Sequence, residues 1–81
     1  MLTQELLTRY HMLPLTSYKE RYGDTAETER CFYETFLTQT DYVAAKLAEA
    51  AYLKQAPDED YTAVLGARQE ARNAINKLQT Q

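Results

Sequence analysis

The chain reads as an all-α protein, and three observations say so. Eleven of its 81 residues are alanine, the strongest helix former. Two glycines and two prolines are all that interrupt it. Valine and isoleucine together number three, so β-branched strand signals are nearly absent. The length allows one domain, spanning residues 1–81, with a thin core. The expected architecture is a small four-helix domain, one helix short, with a C-terminal antiparallel helical hairpin.

Taken in order, Thr3 can cap a first helix whose apolar face carries Leu2, Leu6, Tyr10 and Leu13, with Pro14 as its stop. Thr16-Ser17 with Glu20 reads as a capping box for a short second turn, closed by Gly23. Asp24 with Glu27 marks the next start, and the helix that follows carries Cys31, Phe32, Tyr33, Phe36 and Leu37. Arg30 and Glu34 form an i,i+4 pair on it.

Thr38-Gln39-Thr40-Asp41 reads as punctuation. Thr40 suits an N-cap, and Asp41 suits the positive end of a new helix dipole. That helix shows Val43, Leu47 and Ala50 on one stripe, with Ala44, Ala45, Ala48 and Ala51 around it. Small side chains there permit close approach of a neighbour. Gln55-Ala56-Pro57 ends it, and Asp58-Glu59-Asp60 opens the last helix with acids at its positive end. In that last helix Tyr61, Val64, Arg68, Ala71, Ile75 and Leu78 recur at alternating threes and fours, as a packing seam does. The expected hairpin joins these two helices and packs on the segment bearing Phe32 and Phe36.

The net charge is −3, and neither half is basic. That pattern lacks the electrostatic footprint of a general nucleic-acid binder. The 38–48 segment has the look of a first recognition-motif helix, but no glycine turn and no closely spaced second helix follow. One cysteine, Cys31, has no intramolecular disulfide partner and reads as a small buried hydrophobe. One histidine, His11, and scattered carboxylates make neither a zinc pattern nor a catalytic one. No phosphate-cradling glycine loop is present, and no cofactor is implied. No run is long and apolar enough to span a bilayer, and the acidic N-terminal residues are unlike a signal peptide, so a cytoplasmic location is expected.

Binding is what remains, and six residues are its candidates. Seven tyrosines are spread along the chain, a residue suited to interfaces because its ring is apolar and its tip polar. Tyr42, Tyr52 and Tyr61, with the alanine-rich surface around Ala45, form the expected protein-binding face. Arg68 falls on the seam, where a charge needs a partner such as Asp41, Glu49 or an acid of another protein. Arg72 lies one turn on, and two arginines so placed can hold a carboxylate or phosphate.

The frame Phe36-Leu37, Thr40-Asp41-Tyr42-Val43, Lys46-Leu47-Ala48-Glu49, Arg68-Gln69-Glu70-Ala71-Arg72 and Ile75-Asn76 resembles a short helical module. Such modules recur at the C-termini of small tail-associated proteins of phages and prophages, including tail-fibre assembly-type proteins. The resemblance spans residues 36–78, and the linker here is longer and more acidic. It implies a phage or prophage origin, and with the lack of a catalytic cluster it points to a non-enzymatic role as tail assembly chaperone or adaptor, with a tail component as the expected partner. The thin core of so short a chain makes self-association a further expected supplement. The alternative is a small regulator or inhibitor of a host or phage macromolecule.

Overall fold

The computed structural model describes residues 2–56 and 61–79. It is all-α, with four helices among the described residues: α1 (Gln4–Arg9), α2 (Leu15–Tyr22), α3 (Ala26–Tyr52) and α4 (Thr62–Gln79). None of them is long and apolar enough to cross a membrane. The expected acidic start at Asp58-Glu59-Asp60, and Pro57 before it, lie outside the described residues.

Thr3 caps α1 as expected, its Oγ1 accepting from the Leu6 amide at 3.2 Å. The stop comes earlier than Pro14. His11 adopts a left-handed φ of 60°. The Met12 amide then bonds Leu7 O at 2.9 Å and the His11 amide bonds Thr8 O at 3.1 Å. This paired arrangement satisfies the last carbonyls of the helix. Leu13 consequently leaves the apolar face and is exposed. Pro14 serves as the N-cap of α2 instead, so the Thr16-Ser17 capping box does not form. A proline cannot donate a first-turn amide, and that amide would lack a partner anyway. Gly23 does end α2, at φ 116°, where only glycine is comfortable. One residue past the expected Asp24, Thr25 caps α3, accepting from the Thr28 amide at 3.1 Å.

The main departure is α3 itself. It runs unbroken for 27 residues, straight through Thr38-Gln39-Thr40-Asp41. Thr40 is fully buried, and its hydroxyl turns back to Phe36 O at 2.8 Å rather than forward to cap new amides. The reason is packing. Phe36 and Val43, one turn either side of Thr40, are both fully buried. A break would rotate one of them out of the core, losing about 1.5–3 kcal/mol of burial, against roughly 1 kcal/mol for a cap. The helix that was to begin at Asp41 is therefore the second half of a longer one.

The core gathers Leu6, Leu7 and Tyr10 from α1, Phe32, Phe36 and Val43 from α3, and Tyr61, Val64, Ala67 and Ala71 at and along α4. Tyr10 meets Phe36 edge-on, with ring centroids 6.3 Å apart, and Tyr18 of α2 meets Phe32 at 5.4 Å. Along α4 the start lies beside the end of α3, where Tyr61 neighbours Lys46, Glu49 and Leu53. Its last residues, Leu78 and Gln79, neighbour Ala26 and Arg30 at the start of α3. The chain start is tied in too, since the Leu2 amide donates to Glu70 Oε2 at 3.0 Å. The body measures 44 × 27 × 16 Å. Its 16 Å thickness is that of two helix layers, so one side of α3 has nothing over it.

Candidate functional site

The exposed side of α3 is the candidate site, and it concentrates in the helix's second half. Tyr52 is 85% exposed and Tyr42 50%. Ala44, Ala45, Ala48 and Ala51 lie open between them, and Leu53 follows, exposed. Leu65 of α4 is also exposed. The Lys46 ammonium sits 5.9 Å from the Tyr42 ring centroid, a cation–π distance. Tyr42 also touches Tyr10 at 6.2 Å between centroids, so its inner edge is anchored while its outer edge stays wet.

Of the six expected site residues, Tyr42, Ala45 and Tyr52 are on this surface. Tyr61 is not, being 5% exposed and part of the core, where it leads the α4 seam into α3. Its periodic spacing with Val64 and Arg68 already marked it as an inward position.

Arg68 is 9% exposed and lies in the packing layer. Its Nη1 donates to Leu37 O at 2.8 Å and to Thr40 Oγ1 at 2.7 Å, and its Nη2 donates to Asp41 Oδ1 at 3.1 Å. The expectation of an acidic partner thus holds, with Asp41 as that acid. Asp41 itself is 69% exposed, so solvent weakens the ionic share, and the bonds to Thr40 and Leu37 carry more of the effect. Thr40 as a partner was not visible in sequence, because its spacing suited a cap. Arg72 does not join Arg68. It is exposed, and its Nη2 donates to Gln69 Oε1 at 2.9 Å along its own helix. The two guanidinium groups do not converge on a shared anion position, and Arg68 fastens α4 to α3.

The remaining chemistry-bearing side chains do not converge. Cys31 is half-buried rather than buried, beside Tyr18, Tyr22 and Thr28 at a surface depression of about 400 Å³. The exposed His11 sits at the left-handed stop after α1. Among the described residues no group of three or more His, Cys, Asp or Glu could hold a metal ion. Three side chains titrate high. Burial pushes the Tyr10 hydroxyl up, helped by its hydrogen bond to Tyr42. Burial also raises Tyr33, helped by the nearby charges of Glu29 and Glu70. The hydrogen bond to Glu29 raises Lys19, whose ammonium lies 3.4 Å from that carboxylate and 3.5 Å from Asp24. Tyr33 and Lys19 belong to the packed end of the molecule, and Tyr10 lies at the inner edge of Tyr42, beneath the exposed face.

No known protein family, curated protein or solved structure matches the chain.

Proposed function

We propose that this protein works by binding rather than by catalysis. It is a non-enzymatic protein–protein interaction module of phage or prophage origin, acting in the host cytoplasm as a tail assembly chaperone or adaptor. What supports a binding role is the surface of the second half of α3, where two tyrosines and four alanines stand uncovered on a rigid helix. Tyrosine on such a surface offers large contact area at small entropic cost, and the alanines let a partner helix come close. What supports the tail assignment is the resemblance of residues 36–78 to helical modules of tail-associated proteins.

Co-expression with the tail proteins encoded beside it tests this reading. A stable complex is expected, and Tyr52→Glu should abolish it while leaving the helical circular dichroism unchanged. If those proteins are not captured and a host enzyme or nucleic acid is, the protein is instead a small regulator or inhibitor.

A further inference from the structure

The groove between α2 and the first half of α3 carries opposite charges at its two ends. Thr28, Cys31, Thr35 and Gln39 follow one another at three, four and four residues, so they line one edge of α3. Tyr18, Arg21 and Tyr22 form the wall on the α2 side. Two depressions share Tyr18 and Tyr22 along this edge, one of about 400 Å³ toward Thr28 and one of about 290 Å³ toward Gln39. The left-handed stop at His11 brings His11 and Leu13 to the second of them. Leu13 and Tyr22 stay exposed here, apolar area that the chain itself leaves uncovered. The Gln39 end is lined by Arg21 and His11 and by no carboxylate. The Thr28 end is lined by Glu27 and by no cation. In a chain of net charge −3, a depression with cations and no acid selects for an anion. The Arg21 guanidinium lies 5.7 Å from the Tyr22 ring centroid, which steadies it and leaves its edge N–H groups for a carboxylate. No ion pair among the described residues engages it.

We propose that this groove binds the extended C-terminal end of a partner polypeptide, with its terminal carboxylate on Arg21, an apolar last side chain against Leu13 and Tyr22, and a basic residue upstream against Glu27. The Thr35 hydroxyl and the Gln39 amide each donate and accept, which matches the N–H and C=O of the last peptide bonds. A free amino acid would also bring an ammonium group, and the Gln39 end has no acid to receive it. A chain end brings none, because its nitrogen is acylated. The length fits as well: Thr28 to Gln39 spans about 16 Å of helix at ~1.5 Å per residue, room for about five residues of extended chain. Capture of a terminal carboxylate with pockets for neighbouring side chains is a recurring way of reading peptides. The groove lies on the first half of α3, so it stands apart from the surface around Tyr52 and adds a second contact to it.

Amide NMR titration of the full chain tests it, with the synthetic peptide Lys-Ser-Gly-Ser-Leu, acetylated at its start and carrying a free carboxylate at its end. Saturable shifts are expected at Leu13, Tyr22, Thr35 and Gln39. Replacing the peptide's carboxylate by a carboxamide should weaken binding about tenfold, and so should Arg21→Gln, since each removes a charge-assisted hydrogen bond. Arg21 is exposed, so the variant keeps its fold. Glu27→Gln should weaken the same peptide about twofold, as loss of a surface ion pair does. Tyr52→Glu should leave the affinity unchanged. A carboxamide peptide that binds as tightly as the acid overturns the proposal, and so does wild-type affinity in Arg21→Gln. Inorganic phosphate that moves the same amides with the peptide's affinity makes the groove a general anion patch and overturns it too. N-acetyl-leucine bound as tightly as the peptide overturns the chain end as occupant in favour of a small acylated acid. If the peptide fails to bind while tail proteins are captured through Tyr52, the groove fails and the binding reading of α3 stands.

Discussion

The two halves of α3 share one helix but not one environment. Residues 26–40 are packed by α2 through Tyr18 and Phe32, by α1 through Tyr10 and Phe36, and by α4 through Arg68 and Thr40. Residues 41–52 have α4 on one side, and beyond Tyr42 none of their side chains joins a ring contact with α1 or α2. The first half buries aromatics. The second leaves alanines and Tyr52 in water. Stability is therefore concentrated at one end of a rigid rod, and the other end is free to present a surface. Local stability follows the density of buried apolar contacts, so hydrogen exchange should be slow in 30–40 and faster toward Tyr52.

The largest effect expected separates the halves directly. Phe36→Ala removes a fully buried ring and should cost about 3–5 kcal/mol, enough to unfold a domain this small. Tyr52→Ala should change stability by no more than about 0.5 kcal/mol. Urea titrations followed by circular dichroism give both numbers, and comparable costs would erase the distinction between the halves.

Next comes the fastener between them. Arg68→Ala should cost about 2–4 kcal/mol, since it removes three hydrogen bonds from a buried guanidinium. Arg68→Leu should cost markedly less. The Thr40 hydroxyl keeps Phe36 O as its acceptor, and the leucine fills the space. The same denaturation series checks this, and equal losses for the two variants would make hydrogen bonding, rather than packing volume, the deciding quantity. Exchange of the 38–42 amides should accelerate in Arg68→Ala more than in Arg68→Leu.

A smaller change sharpens the far end. Lys54 holds a left-handed φ of 56°, with the Gln55 amide bonded to Ala50 O at 2.9 Å and the Lys54 amide to Ala51 O at 3.2 Å. A lysine there pays roughly 1 kcal/mol that glycine does not. Lys54→Gly should therefore raise stability by about that amount and slow exchange at the last turn of α3, with no change near Phe36.

The last expectation concerns pH, and it falls on the packed half. Tyr10 and Tyr33 titrate above their ordinary value of 10.0, and Lys19 above 10.5. A raised value means that the folded state holds its proton where the unfolded chain has already released it. The stability from these groups is complete below pH 10 and is lost as pH climbs through the raised values. Melting temperature should be level from pH 7 to 9 and fall above pH 10, and Tyr10→Phe should flatten that fall. A melting temperature that holds constant through pH 11 would show that these groups do not couple to folding.

How far the sequence reaches is clearest at particular residues. Helical composition, the Thr3 cap, the Gly23 stop and the inward spacing of Val64, Arg68 and Ala71 are local properties, readable because each depends on a few neighbours in the chain. The pairing of Arg68 with Asp41 was readable as a need: a charge at a seam position requires an acid. Thr40 was not readable, because threonine serves equally as a cap or as a helix-interior residue bonded to its own fourth carbonyl back, and only burial of Phe36 and Val43 on either side decides between them. Tyr61 and Tyr52 make the same point. Both are tyrosines near a helix end; one is a core residue and the other nearly all in water, according to whether they face the seam between α3 and α4. Local chemistry determined which segments are helical and where several of them begin. The three-dimensional packing determined that two of those segments are one helix, and which of its faces stays uncovered, because burial is a sum over residues distant in the chain.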